Sequence, residues 1–274
     1  MSDREFDFTE ADFQRVKKIV YDFAGIDLND SKKNLVYNRL AKRIRFLGQD
    51  SFKHYLNYVE EQGESEFIHL INSITTNLTF FFRENHHFEY LAETVIPELL
   101  KQKASSRKIR VWSAGCSTGE EPYSLAIVLK ETVPEGWDAK VIATDLDSNV
   151  VQTGMTGVYK VDRLKGVSDA RRNRWFLKGE GSKSGFVKTK PELQSIIEFG
   201  QLNLMDEWPL NSEIDVIFCR NVVIYFDKPT QSKLFNRYAD KLPQGGHLFV
   251  GHSESLYKVC DRFDLLGQTI YKKN

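Results

Sequence analysis

The sequence predicts an α/β doubly wound sheet, preceded by an all-α region and interrupted by a small antiparallel β insertion. Three observations carry that reading. An apolar run from Ile109 to Trp112 leads into a glycine turn, Gly115-Cys116-Ser117-Thr118-Gly119, and then into a helical pattern from Glu120 to Lys130. A second apolar run, Lys140-Val141-Ile142-Ala143-Thr144, follows and stops at Asp145. Upstream, residues 9 to 104 repeat apolar side chains at helical spacing, whereas 163 to 200 break that rhythm and alternate around a turn.

Strand, glycine turn and helix is how a doubly wound sheet builds a nucleotide pocket at the carboxyl end of its first strand. Gly115 allows positive φ and close approach of a ligand. Asp145, about 25 residues further on, stands where an acid accepts hydrogen bonds from ribose hydroxyls. The turn has no Gly-Lys-Ser/Thr, which excludes a P-loop, and Gly115-x-Ser117-x-Gly119 does not complete the dinucleotide fingerprint. Glu120 and Glu121 occupy the helix N-terminus, where they suit the helix dipole but repel a phosphate. A pocket that takes ribose and repels phosphate suits S-adenosylmethionine, whose sulfur is cationic.

Taken in order, Thr9 with Asp12 reads as a capping box for a helix carrying Phe13, Val16, Ile19, Val20 and Phe23, ended near Gly25. Ser31 is expected to cap a second helix with Leu35, Leu40, Ile44 and Leu47 inward before Gly48. Phe52, Tyr55, Leu56 and Val59 mark a third helix; Phe67, Ile68, Ile71 and Ile74 mark a fourth. The second helix is one-signed: Lys32, Lys33, Arg39, Lys42, Arg43 and Arg45 lie between Ser31 and Gly48 with no acid. Arg39, Lys42 and Arg43 share one side by i, i+3, i+4 spacing, which reads either as a solvated face or as a dock for an acidic partner. His86 to Lys103 reads as a connecting helix kinked by Pro97.

Beyond the second strand, Asp147 to Gly154 reads as a short helix, and Lys178 to Gly185 as the turn between two insertion strands whose edge can accept a peptide. Ile196 to Phe199 runs on into Asn203-Leu204; Asp215 to Cys219 is a buried strand from whose carboxyl end Arg220-Asn221 emerges. Tyr225 lies on a short turn before a helix from Pro229 to Leu242. A strand over 245–250 and a hairpin over 263–271 close the chain.

Formal net charge is zero, which gives no overall attraction to nucleic acid. No apolar run is long enough to span a bilayer, and the charged first residues lack a signal-peptide core, so a cytoplasmic protein is expected. Cys116, Cys219 and Cys260 are odd in number and far apart, and the six histidines show no ligand spacing, so no metal is expected.

Four stretches, Thr76 to Glu84, Ser113 to Ser124, Ala143 to Asp147 and Cys219 to Phe226, resemble in order and spacing the chemotaxis receptor methyltransferases, the CheR family. The resemblance implies a Rossmann-like class I methyltransferase sheet over 105–274 with a β-subdomain at 163–200. It further implies a helical domain at 1–76 and a linker with its connecting helix at 77–104. The implied activity is methyl transfer from S-adenosylmethionine to glutamate carboxylates of chemotaxis receptors, leaving S-adenosylhomocysteine. Asn77, Thr79, Arg83, Gly115, Glu120, Asp145, Asn203, Leu204, Arg220 and Asn221 would line the cofactor site, Asn203 and Leu204 against the adenine. Arg83 and Tyr225 would orient the acceptor carboxylate, which is ionised near neutral pH and needs no general base. Arg39, Lys42 and Arg43 would meet the acidic methylation helices, and the loop with Gly179, Gly181 and Gly185 a C-terminal receptor pentapeptide. A monomer recruited to membrane-bound receptor arrays, without inserting into the membrane, is expected.

Two other readings compete with methylation of a receptor carboxylate. Amino-methylating nucleic-acid enzymes usually carry Asn/Asp-Pro-Pro-aromatic where this chain has Arg220-Asn221-Val222-Val223. A non-catalytic module that merely binds the cofactor conflicts with the retention of Arg83, Glu120, Asp145 and Asn221.

Overall fold

The computed structural model describes residues 4–75, 77–210 and 213–274. Four helices form the first layer: α1 (Glu10–Ala24), α2 (Lys33–Phe46), α3 (Phe52–Gln62) and α4 (Glu64–Ile74). The capping box of α1 forms, with Asp12 N–H donating to Thr9 Oγ1 (3.1 Å) and Thr9 N–H donating to Asp12 Oδ2 (2.9 Å). Ser31 does not cap α2. A 3-10 turn over Asp30–Lys32 feeds the helix instead and leaves its N-cap without a side-chain acceptor. The inward face of α2 is Val36, Tyr37, Leu40, Ala41 and Ile44, whereas Leu35 and Leu47 sit at its margin. In α4 the buried set is Glu66, Leu70, Ile71 and Ile74; Phe67 and Ile68 are half-buried. Both differences rotate the predicted stripe by about one position, within the breadth of an amphipathic face. Thr76, the expected domain boundary and first residue of its motif, lies outside the described residues, as do residues 1–3.

The connecting run is α5 (His86–Tyr90), a π-helical segment over Leu91–Val95, and α6 (Ile96–Gln102). Pro97 sits in the first turn of α6, and the π-helical widening ahead of it carries the run past the missing N–H.

The strands are β1 (Lys108–Ala114), β2 (Asp138–Asp145), β3 (Val158–Lys160), β4 (Phe176–Lys178), β5 (Phe186–Thr189), β6 (Ile197–Gln201), β7 (Val216–Cys219), β8 (His247–Val250), β9 (Phe263–Gly267) and β10 (Ile270–Lys273). Between them lie α7 (Glu120–Thr132), α8 (Ser148–Thr156), α9 (Asp169–Trp175), α10 (Pro191–Gln194) and α11 (Lys228–Lys241). Seven strands form one sheet, ordered β6-β2-β1-β7-β8-β10-β9, in which β10 runs antiparallel to both its neighbours. This is the predicted Rossmann-like α/β class. Burial on both faces explains why the central strands read as continuous apolar runs. Ile109, Val111, Val141 and Phe218 face one core, and Trp112, Ala114, Ile142 and Ile217 the other.

The insertion is a separate sheet, β3-β5-β4, antiparallel throughout. It starts at Val158 rather than 163 and ends with Thr189 rather than 200. The remainder of that range includes β6, which pairs in parallel with β2 at the edge of the main sheet. Both segments carry a short alternating pattern, and the sequence alone does not say which sheet each joins.

Candidate active site

A cavity of about 400 Å³ opens at the carboxyl ends of β1, β2 and β7, on either side of β1, where the strand order reverses. The helical domain supplies one wall through Ile26, Asp27, Lys32 and Leu35. The two domains are stitched beside it. Asp27 N–H donates to the Tyr225 carbonyl (2.8 Å), Ile26 bridges Phe226, and Tyr21 O–H donates to Asp227 Oδ2 (2.9 Å). Sequence reasoning missed this wall, because Ile26, Asp27, Lys32 and Leu35, partly or fully exposed around the α1–α2 connection, carry no motif.

Gly115 takes φ +96°, and a Cβ there would stand 2.3 Å from Val222 Cγ2, so only glycine lets the β1 and β7 loops meet. Asp145 lines the cavity. Its Oδ2 accepts from Ser117 N–H (2.8 Å) and its Oδ1 from Asp147 N–H (3.0 Å), and burial pushes its carboxyl up to about 6 against those two bonds. Asn77 lines the wall with its Nδ2 on Asp147 Oδ2 (3.0 Å), and Thr79 beside it accepts at its carbonyl from Arg163 (2.9 Å). Leu202 and Leu204 form an aliphatic wall. Asn203 lines it too, but its amide is already used at both ends, Nδ2 on the Phe23 carbonyl (2.7 Å) and Oδ1 on Met205 N–H (3.0 Å).

Glu120 is the one expected cofactor residue that the structure turns away. The helix geometry of α7 points it to Thr118 Oγ1 (2.6 Å) and Arg163 (3.5 Å), and Glu121 faces the cavity in its place. Glu121 accepts from Ser113 Oγ (2.7 Å) and Arg220 (3.0 Å). Successive helix residues point about 100° apart, and the sequence names two acids without saying which turns inward. Asn221, also in the wall, takes φ +59°. Glu254, missed from sequence, fixes that loop by accepting from the N–H groups of Asn221 (2.9 Å), Ile224 (3.2 Å) and Gly251 (2.6 Å). Its signal was an acid just past a strand's carboxyl end.

At the mouth, Arg83 is held by the Leu78 carbonyl (3.0 Å) and the Phe80 ring (5.9 Å), leaving guanidinium donors for a ligand. Tyr225 is exposed on the same mouth, on a 3-10 turn over Val223–Tyr225. Cys116 lines the cavity, but burial pushes its thiol up, which removes it as a thiolate nucleophile. Among the described residues no cluster fit for a metal occurs, and no helix is long and apolar enough to cross a membrane.

The residues expected to dock a partner lie elsewhere. Arg39 donates to the carbonyls of Ile74 and Thr75 (both 2.6 Å), and Arg43 grips Glu66 with two bonds (3.0 and 2.7 Å). Both therefore tie α2 to α4, and Lys42 remains exposed. Gly181 and Gly185 take positive φ in the loop between β4 and β5. Gly179 allows close backbone approach there, since a Cβ would meet the Lys183 carbonyl at 2.2 Å.

The cavity fits a methylated sulfonium nucleoside. Asp145 stands at the carboxyl end of β2, Leu202 and Leu204 line an apolar wall, and Glu121 adds a second acid to the lining. Comparison with known proteins agrees. The CheR methyltransferase SAM binding domain matches residues 77–272, and the CheR methyltransferase all-alpha domain matches residues 11–75. A chemotaxis protein methyltransferase of Escherichia coli (strain K12) is 42% identical over 268 residues, 96% of this chain and 91% of that protein. A probable chemotaxis protein methyltransferase of Rhizobium etli is 43% identical over 258 residues, 93% of this chain and 96% of that one. Chemotaxis protein methyltransferase 2 of Pseudomonas aeruginosa is 42% identical over 272 residues, 98% and 95% of the two chains. With both of its domains matched and the cavity formed between them, the chain belongs to the CheR methyltransferase family.

Proposed function

We propose that this chain methylates side-chain carboxylates of glutamates on chemotaxis receptors, using S-adenosylmethionine and leaving S-adenosylhomocysteine. The observation that carries the reading is Arg83, with guanidinium donors open, at the mouth of an acid-walled cavity. The relatives named for chemotaxis methylation support the receptor as acceptor.

Asp145 would hold the ribose hydroxyls, Leu202 and Leu204 the base, and Glu121 the cationic end. The cofactor supplies an electrophilic methyl on a positively charged sulfur. Everything else falls to the protein. Arg83 donates charge-assisted hydrogen bonds to the acceptor carboxylate and aims its free oxygen inward, with Tyr225 O–H as a second contact. The exposed apolar groups of Leu78, Phe80 and Ile224 around the mouth exclude water as the acceptor segment lands. No proton has to be removed, because a carboxylate is already ionised at neutral pH.

Lys42 on α2 would meet the acidic methylation helices, and an edge strand of the small sheet would receive a receptor tail peptide. The chain would act as a cytoplasmic monomer recruited to receptor arrays. Labelled methyl from S-adenosylmethionine should enter chemoreceptors in membranes and leave under mild base. Label stable to base, or absent although the cofactor binds, would contradict the acceptor assignment.

A further inference from the structure

We propose that Glu84 is a positioning residue for the methyl donor: it shares the Arg220 guanidinium with Glu121, so that two carboxylates around one cation leave the cavity wall a net negative charge that favours the cationic donor over the neutral-sulfur product. The inference rests on the reading of the cavity as a sulfonium site.

Arg220 is buried, its side chain 2% exposed, and lies between two carboxylates: Glu84 at 3.2 Å and Glu121 at 3.0 Å. Its second terminal nitrogen also donates to the Arg83 carbonyl, and its guanidinium lies 5.5 Å over the Phe88 ring. Burial raises the Glu121 carboxyl, with Arg220 and Ser113 pulling against it; both its oxygens accept, one from Ser113 and one from Arg220, as an ionised carboxylate does. Two carboxylates around one guanidinium leave one negative charge; Glu121 and Arg220 both line the cavity, and Glu84 stands behind them.

Glu84 does not line the cavity, so it acts through the charge it adds around Arg220 and Glu121. It is 12% exposed, and its Oε1 is tied to His252 Nδ1 (2.9 Å), itself 68% exposed. Buried His87 lies 3.7 Å from the other oxygen. Burial raises the Glu84 carboxyl, but His252 and Arg220 outweigh it and bring it down to about 2. The backbone is bent to deliver it, with Phe82 at φ +55° and Glu84 at φ +56° on either side of Arg83. Non-glycine residues pay for that conformation, and such strain gathers at functional segments. One strained turn thus sends Arg83 to the mouth and Glu84 to Arg220.

The test measures binding of S-adenosylmethionine and S-adenosylhomocysteine by calorimetry to wild type, Glu84→Gln, Glu84→Asp, Arg220→Lys and the Glu84→Gln/Arg220→Lys double variant. Glu84→Gln keeps the shape and removes the charge. It should weaken S-adenosylmethionine about tenfold, or about 1.4 kcal/mol, and S-adenosylhomocysteine less than threefold. Glu84→Asp should keep the ratio of the two affinities within about twofold of wild type, even if both fall. In the double variant S-adenosylmethionine should again weaken more than S-adenosylhomocysteine relative to Arg220→Lys alone, because the lysine keeps the charge that Glu84 offsets. Equal losses for both ligands, in the wild-type or the Arg220→Lys background, would overturn the proposal. If Glu84→Gln does not fold, the ratio in Glu84→Asp decides: preserved supports, collapsed overturns. A wild type that binds neither ligand would overturn the sulfonium reading itself.

Discussion

Replacing Arg83 with alanine tests the division of labour between holding the donor and aiming the acceptor. Arg83 stands at the mouth, fixed by the Leu78 carbonyl and the Phe80 ring, with one N–H spent on that carbonyl. The remaining donors offer a fork to a carboxylate. A hydrogen bond to a charged group is worth about 1.5–3 kcal/mol. At 1.36 kcal/mol per tenfold, removing it should lower kcat/KM for the receptor roughly 10- to 150-fold. Cofactor affinity should change less than about threefold, because the acid wall is untouched. Arg83→Lys should recover only part of the loss, since an ammonium lacks the planar fork. The assay is initial-rate methyl transfer over a range of receptor concentrations at saturating S-adenosylmethionine, paired with calorimetric binding of S-adenosylmethionine. Equal losses in affinity and turnover, or no loss in turnover, would refute the assignment.

Four other outcomes follow from the same geometry. Gly115→Ala adds a Cβ 2.3 Å from Val222 at a positive φ, and should cost about 2–4 kcal/mol in denaturant unfolding. Arg43→Ala leaves Glu66 buried without its partner, the two side chains being 17% and 4% exposed, and should cost about 3–5 kcal/mol. Lys42→Ala should change stability by less than about 0.5 kcal/mol while raising KM for the receptor. Asp145, held up to about 6 by burial, loses its negative charge as pH falls through that value. Donor binding favours the ionised form, so affinity should weaken toward tenfold per pH unit below about 6, and Asp145→Asn should flatten the profile.

The pocket-building unit was legible because its signals are local. A glycine forced by close approach, a buried apolar strand and a terminal acid each leave a mark in adjacent residues. The two-domain wall was not, since Ile26, Asp27 and Lys32 reach the cavity only through the pairing of Asp27 with Tyr225 and of Ile26 with Phe226. The choice between Glu120 and Glu121 turned on helix phase, which two adjacent acids do not encode. The basic stripe of α2 misled in part. Arg39 and Arg43 face α4, and their partners, two backbone carbonyls and Glu66, stand more than twenty residues away. The Glu84–Arg220–Glu121 cluster joins three segments distant in sequence, and its members carry no shared spacing.

The most direct measurement of the central claim is mass spectrometry of receptor peptides after incubation with the enzyme and S-adenosylmethionine. The account predicts one added methyl on a glutamate side-chain carboxyl, absent when that residue is glutamine and lost on mild base treatment. A methyl found on nitrogen or sulfur, or found unchanged in the glutamine variant, would contradict it.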